Sequence, residues 1–148
     1  MSEKYISFSL AKEKYCVPLL LIKEVVKMQI ITPVPQLPNY YLGVFNLRGQ
    51  VITALDLRRK LGLTDLMSEE KTIMIINLNE GAFGVLVDGI DEVISISEKE
   101  IQENSFSKNK LIENSILGVY KKNDELILLL DVFKALALDN LNHNKQAA

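Results

Sequence analysis

Residues 43–63 read GVFNLRGQVITALDLRRKLGL, and residues 118–138 read GVYKKNDELILLLDVFKALAL. At an offset of 75, Gly43, Val44, Ile52, Leu55, Asp56, Leu61 and Leu63 recur as Gly118, Val119, Ile127, Leu130, Asp131, Leu136 and Leu138. Each stretch is an apolar run, a turn, a second apolar run, and an aspartate placed to cap the next segment. That order predicts a β-hairpin leading into a capped helical segment. Working outward, an offset of 68 aligns Phe8-Ser9-Leu10 with Ile76-Asn77-Leu78, Tyr15-Cys16-Val17 with Phe83-Gly84-Val85, and residues 22–26 with 90–94. The seven-residue difference between the offsets is what a longer loop at 97–115 would produce. Self-similarity held in order along both halves marks a duplicated unit.

Period-two alternation over residues 5–10 (YISFSL) predicts a half-buried strand. The runs 15–17, 42–47, 51–55, 71–78, 83–87, 92–96, 116–120 and 125–130 read the same way, with 28–31 as a further strand candidate. Pro18 suits the start of a short helical turn near residues 22–26, and Pro33, Pro35 and Pro38 break regular structure up to Tyr40. Asp56 is expected to cap DLRRKLG, with Leu57 and Leu61 facing inward and Gly62 as the stop, and Asp131 to cap DVFKALALDNL. The polar residues 97–115 read as a long loop, and the tail after Leu141 as frayed. Each half supplies about five short strands, too few to bury a core unless they curl into a small barrel. Two such barrels side by side can share one apolar seam.

The 148 residues suffice for one domain or two small lobes sharing a core. Hydrophobic content of 48% and charged content of 24% are ordinary globular values. A net charge of −2 argues against a nucleic-acid partner, because phosphate binding calls for a basic excess. With Cys16 as the one cysteine, no internal disulfide is possible. The N-terminus lacks the features of a signal peptide, and the apolar runs fall far short of the roughly 20 residues that span a bilayer. A cytoplasmic chain without membrane insertion is expected.

Chemistry finds little to work with. His143, the one histidine, lies in the tail without a group to orient it, and Cys16 reads as a small buried hydrophobe. One Cys and one His do not make a metal site, and Asp88, Asp91 and Glu92 have the wrong spacing for a calcium loop and read as a solvated turn. Gly81 and Gly84 fall in a hairpin and not in a phosphate cradle. No catalytic residue, metal or cofactor is expected. Arg58-Arg59-Lys60 reads as a solvated helix face, with a small-barrel nucleic-acid binder as the alternative. Ile30, Val34, Leu37, Tyr40 and Tyr41 either cover a barrel end or mark a partner site.

The repeat supplies an internal comparison. The turn Asn46-Leu47-Arg48-Gly49 aligns with Lys121-Lys122-Asn123-Asp124, an ordinary solvated turn in which Asn suits positive φ. Since the sister turn manages without Leu47 and Arg48, the fold does not require them, and Arg48 is expected to be a contact residue.

With Tyr15-Cys16-Val17-Pro18-Leu19, Ile22-Lys23-Glu24-Val25, Ile31-Thr32-Pro33-Val34-Pro35, Asn46-Leu47-Arg48-Gly49-Gln50-Val51-Ile52, Asp56-Leu57-Arg58 and Val87-Asp88, the chain resembles the CheW family of bacterial chemotaxis adaptors. The resemblance covers nearly the whole chain in order, and the NLRG turn followed by DLR is its specific part. It implies a mainly β fold of two intertwined five-stranded SH3-like barrels sharing a hydrophobic core, with short helices including one at the C-terminus. The division expected is one CheW-like domain over 1–148, with lobe one at 12–70 and lobe two at 71–141. The strand at 4–11 would complete lobe two, and 142–148 would form a flexible tail. The resemblance also implies a non-catalytic scaffold of a two-component pathway. Its partners would be the regulatory domain of a CheA-type histidine kinase and the cytoplasmic tip of methyl-accepting chemoreceptors, which would recruit it to membrane-associated arrays. A coupler in a surface-motility array is the alternative. By similarity, Asn46, Leu47, Arg48 and Gly49 contact kinase or receptor. A receptor groove between the barrels would draw on Val25, Met28, Ile30, Val85, Val87, Ile94 and Ile96, although period-two strands also send alternate residues to the core. The chain departs from the family at Thr53-Ala54-Leu55, where a proline and β-branched residues are usual, which implies slightly different strand packing.

Overall fold

In the computed structural model, which describes residues 2–63, 71–78, 81–103 and 115–136, the alternating runs form strands. They are β1 (Ser2–Leu10), β2 (Glu13–Pro18), β3 (Ile22–Lys27), β4 (Tyr41–Leu47), β5 (Gln50–Asp56), β6 (Thr72–Leu78), β7 (Gly81–Val87), β8 (Gly89–Ser97), β9 (Ile101–Gln102), β10 (Ile116–Lys122) and β11 (Glu125–Leu130). The helical pieces are a 3-10 turn at Leu19–Leu21, another at Glu98–Glu100, α1 at Leu57–Lys60, and residues 132–136. Thus the helical turn expected after Pro18 ends before Ile22, and residues 22–26 are strand.

The strands assemble into a six-stranded sheet, β8-β1-β2-β11-β10-β9, and a five-stranded sheet, β3-β6-β7-β5-β4. Under the repeat, β1 to β3 match β6 to β8, and β4 and β5 match β10 and β11. The two orders are therefore one order, with the halves exchanged. The hairpin β1–β2 from the first half sits between β8 and β11 of the second, and the hairpin β6–β7 sits between β3 and β5. Each exchange is sealed by a parallel pair, Tyr15 with Leu128 in one sheet and Leu55 with Val85 in the other. The expected lobes at 12–70 and 71–141 each contribute strands to both sheets.

Period-two geometry divides the core into three parts. Phe8, Tyr15, Val17, Leu55, Met74, Ile76, Val85, Val87 and Leu130 meet between the sheets, together with Leu57 and Leu61 of α1 and Val132, Ala135 and Leu136. Tyr5, Cys16, Ile94, Ile96, Ile127 and Leu129 fill the barrel of the six-stranded sheet. Phe45, Ile52, Ala54, Ile73, Ile75 and Leu86 fill the other. Successive residues such as Ile73 and Met74, or Val85 and Leu86, thus belong to different cores, so β6 and β7 are apolar on both faces. The strands form SH3-like barrels that share the middle core. Thr53, where the family usually has proline, lies inside the sheet, opposite Val44 on one side and Phe83 on the other.

Two expected elements differ. Residues 28–31 are not strand; only Thr32 pairs, exchanging hydrogen bonds of 2.7 and 2.9 Å with Val44 before the prolines remove further donors. The stretch expected as one loop over 97–115 carries ordered pieces. Glu100 accepts from the Ser97 N–H at 2.9 Å, and β9 then pairs with β10. Residues 104–114 lie outside the described ones. These two features are the same feature repeated. Thr32 crosses β4 at Val44, and Gln102 crosses β10 at Val119, its repeat. Gly43 and Gly118 make room for the crossings. A Cβ at Gly43 would run into the Thr32 carbonyl, and one at Gly118 into Ile101 and the Gln102 carbonyl.

Candidate functional site

The hairpin β4–β5 turns through Arg48 and Gly49, both at positive φ, 51° and 87°. This is the handedness that matches strand twist, and Asn46 Oδ1 supports it by accepting from Gly49 N–H at 2.8 Å. The sister turn places Asn123 at φ 55° in the position of Arg48. Asn tolerates this conformation, whereas Arg bears a steric cost of about 1–2 kcal/mol there. Local physics therefore explains Asn123 but not Arg48. The Arg48 side chain is 66% exposed and pairs through Nη2 with Glu24 Oε2 on β3.

Neither hairpin announces such an ion pair in its own residues, and the second half has a counterpart whose cation stands one position earlier in the turn. Glu92 stands 68 residues after Glu24 and pairs with Lys122, at the tip of the sister hairpin. In the five-stranded sheet β3 and β4 are the two ends of the strand order, so Glu24–Arg48 ties the sheet closed. Glu92–Lys122 similarly links β8 to β10. Exposed pairs of this kind contribute about 0–1 kcal/mol. The signal lies in the alignment, since segments 22–26 and 90–94 share a glutamate.

The groove set divides. Val25 is 40% exposed, and Met28 and Ile30 are exposed, Ile30 at 94%. Val85 and Val87 lie in the shared core, and Ile94 and Ile96 in the barrel core, so none of these four can touch a partner directly. The exposed large hydrophobic residue of β8 is Val93, at 52%. A one-residue step along a strand exchanges faces, and β8 carries a register shift opposite Ile6 and Phe8. Val25 pairs across with Met74, and Val93 with Ile6, both residues of the shared core. Cross-strand partners share a face, so the two valines, equivalent in the repeat, are the exposed rims of the seam between the sheets. The repeat alone points to Val93, because it aligns with Val25.

α1 differs from expectation in its charges. Asp56, buried, caps it by accepting from the N–H groups of Arg58 at 3.0 Å and Arg59 at 3.4 Å. Gly62 and Leu63 close it by donating to Arg59 and Arg58 carbonyls. Yet Arg58 and Lys60 are buried and not solvated. Arg58 lies along Asp56, and the Lys60 ammonium sits 4.1 Å from the Tyr40 ring centre, a cation–π contact. Burial pushes Lys60 down to about 8. Arg59 reaches the Asn39 carbonyl at 3.1 Å. These cations fasten the end of the proline stretch.

Among the described residues, the remaining chemistry-bearing side chains hold the fold. Cys16 is buried, and burial pushes its thiol up to about 12, away from a nucleophilic thiolate. Asp88 accepts from Ala11 N–H at 2.8 Å in the β1–β2 turn, and Asp91 pairs with Lys14 at 2.8 Å. With Glu92 on Lys122, the acidic cluster is more than a solvated turn, since each carboxylate holds a turn or strand. No group of metal-ligating side chains occurs among the described residues. His143 and the tail 142–148 lie outside them.

Comparison with known proteins agrees with this geometry. A family model described as the CheW-like domain matches residues 4–139. The chemotaxis protein CheW of Helicobacter pylori is 35% identical over 139 residues, covering 92% of this chain and 82% of its own. That of Bacillus subtilis is 32% identical over 130 residues, covering 87% and 83%. The crystal structure of the scaffolding protein TtCheW from Thermoanaerobacter tengcongensis matches with a TM-score of 0.81 at 30% identity, over 90% of this chain and 88% of that one. Since the match runs through both halves of the repeat, the chain belongs to the CheW family.

Proposed function

We propose that this chain is a non-catalytic scaffold coupling methyl-accepting chemoreceptors to a CheA-type histidine kinase in chemotaxis signalling. The observation that carries the reading is Arg48, held exposed in a left-handed turn position that its sister turn fills with Asn. A residue kept at a steric cost points to a contact. Asn46, Leu47, Arg48 and Gly49 form the kinase or receptor contact, and the seam rimmed by Val25 and Val93, with Met28 and Ile30, forms the receptor groove. Recruitment to a membrane-associated array would run through the receptor, as no described helix is long and apolar enough to cross a membrane.

Two faces on one double barrel can couple two binding events as a free energy between sites, with no bond made or broken. Modest contacts suffice in an array, where effective concentration multiplies them. The test is calorimetric titration of wild type and Arg48→Ala with a receptor cytoplasmic fragment and with a CheA regulatory domain. Loss of binding to either, with unchanged melting, supports the reading. Equal binding to both by the two proteins would remove Arg48 from it.

A further inference from the structure

The seam rims carry a charge pattern as well as an apolar one. Two residues beyond Val25 on the same face of β3 stands Lys27, paired across with Thr72. Two residues beyond Val93 on β8 stands Ser95, and its cross-strand partner on β1 is Lys4. Under the repeat these are the same cross-strand pair, with Ser95 for Lys27 and Lys4 for Thr72. Each sheet therefore has one lysine at this pair, but on opposite strands. A lysine merely inherited by duplication would sit on the same strand in both, so the shared feature is the positive charge and not the residue.

Both lysines are exposed, and among the described residues neither has an ion-pair partner. Lys14, Arg48 and Lys122, by contrast, each hold a carboxylate within the protein. The strip on each sheet thus reads apolar, then cationic. Two residues of strand span about 6.6 Å, and four residues of α-helix about 6 Å. A docked segment matches the strip if it presents an apolar and a charged side chain about 6–7 Å apart, as residues i and i+2 of a strand or i and i+4 of a helix face do.

We infer that the receptor segment seated on this seam presents apolar side chains to Val25 and Val93 and, about 6–7 Å along, Asp or Glu side chains to Lys27 and Lys4. The inference rests on the groove reading above and adds the chemistry and orientation of the occupant. Charge at the rim sets partner choice and orientation more than raw affinity.

The probe is a receptor cytoplasmic tip fragment, titrated by fluorescence anisotropy at low and high salt. The chain is used as wild type, as Val25→Asp/Val93→Asp, as Lys4→Glu/Lys27→Glu, and as Lys12→Glu/Lys99→Glu, a control with the same charge change on exposed lysines elsewhere. The inference expects the Lys4/Lys27 variant to bind about tenfold more weakly at low salt, the deficit shrinking as salt screens it. The control should stay within about twofold of wild type. If the valine variant loses binding while the Lys4/Lys27 variant matches wild type at both salts, the charge inference is wrong and the groove stands. An equal deficit in the control reduces the effect to net charge and also overturns it. If the valine variant binds normally, groove and inference fall together.

Discussion

Arg48 is a fold device through its pair with Glu24, and the contact role belongs to the function proposed above. Its pair with Glu24 helps close a barrel, as Lys122 with Glu92 closes the other, and a pair this exposed contributes little. Its backbone at φ 51° costs more than the pair returns. Arg48→Asn should therefore leave the melting temperature unchanged or raise it by a few degrees, while partner binding falls, as calorimetry of the variant and its complex would show. A variant that melted well below wild type would make Arg48 a structural residue. Lys60 obeys the opposite logic. Burial lowers it from 10.5 to about 8, so the folded state binds its proton less readily than the unfolded chain. Stability is therefore reduced below about 8 and recovers as pH rises from there toward 10.5. Urea unfolding of wild type and Lys60→Met should show wild type gaining on the variant between those pH values. Cys16, pushed up to about 12, acts in the other direction above pH 9 but is common to both proteins and cancels in the difference. The caps at Asp56 and Asp131 are legible in the sequence because a cap is a local hydrogen bond. Lys134 N–H donates to Asp131 at 3.0 Å as expected. The inward turn of Arg58 and Lys60 is not legible, because four residues of helix are too short to display a face.

At the scale of elements, alternation locates the strands well and their faces poorly. It reads residues 92–96 correctly as strand, yet the groove residues that the resemblance implies there, Ile94 and Ile96, are buried, and the neighbouring Val93 is the exposed one. Period two fixes which residues share a face and leaves open which face is wet. Where both faces are apolar, as along β6 and β7, composition offers no help. Register shifts between Ile6 and Phe8 and between Ile22 and Glu24 break the count further. In the six-stranded sheet Ser7 absorbs the shift by donating to the Glu92 carbonyl at 3.1 Å and accepting from its N–H at 3.2 Å. Residues 28–31 read as strand because three of the four are apolar, but the prolines after them leave Thr32 alone to pair. That single pair needs Gly43, whose φ of 137° and lack of Cβ let Thr32 reach Val44. Gly43→Ala should lower stability by about 2–4 kcal/mol, measured by denaturant unfolding, because both the conformation and the contact are lost. A cost under about 0.5 kcal/mol would mean that the proline stretch can lift away without consequence.

For the whole molecule, the duplication is legible in the residues themselves, whereas the exchange enters only through the resemblance, which implies intertwined barrels with the strand at 4–11 completing lobe two. Two similar halves present nearly the same cross-strand chemistry to each other and to themselves, so the residues alone cannot say whether β1–β2 pairs within its half or across. In the structure it pairs across, and the reciprocal hairpin does likewise. Neither half then has its own complete sheet. Residues 1–70 expressed alone, and 71–148 alone, should lack cooperative unfolding and near-native circular dichroism, whereas mixing them should restore both. A fragment that folded alone would show that the exchange is dispensable. The exchange also has a consequence in time. β2 cannot find its partner β11 until the chain from Pro18 to Glu125 and beyond has been made. At about 5–20 residues per second that is a wait of roughly 5–20 s. Throughout it the nascent chain carries unpaired apolar strand edges, and the first hairpin synthesised is among the last to be housed.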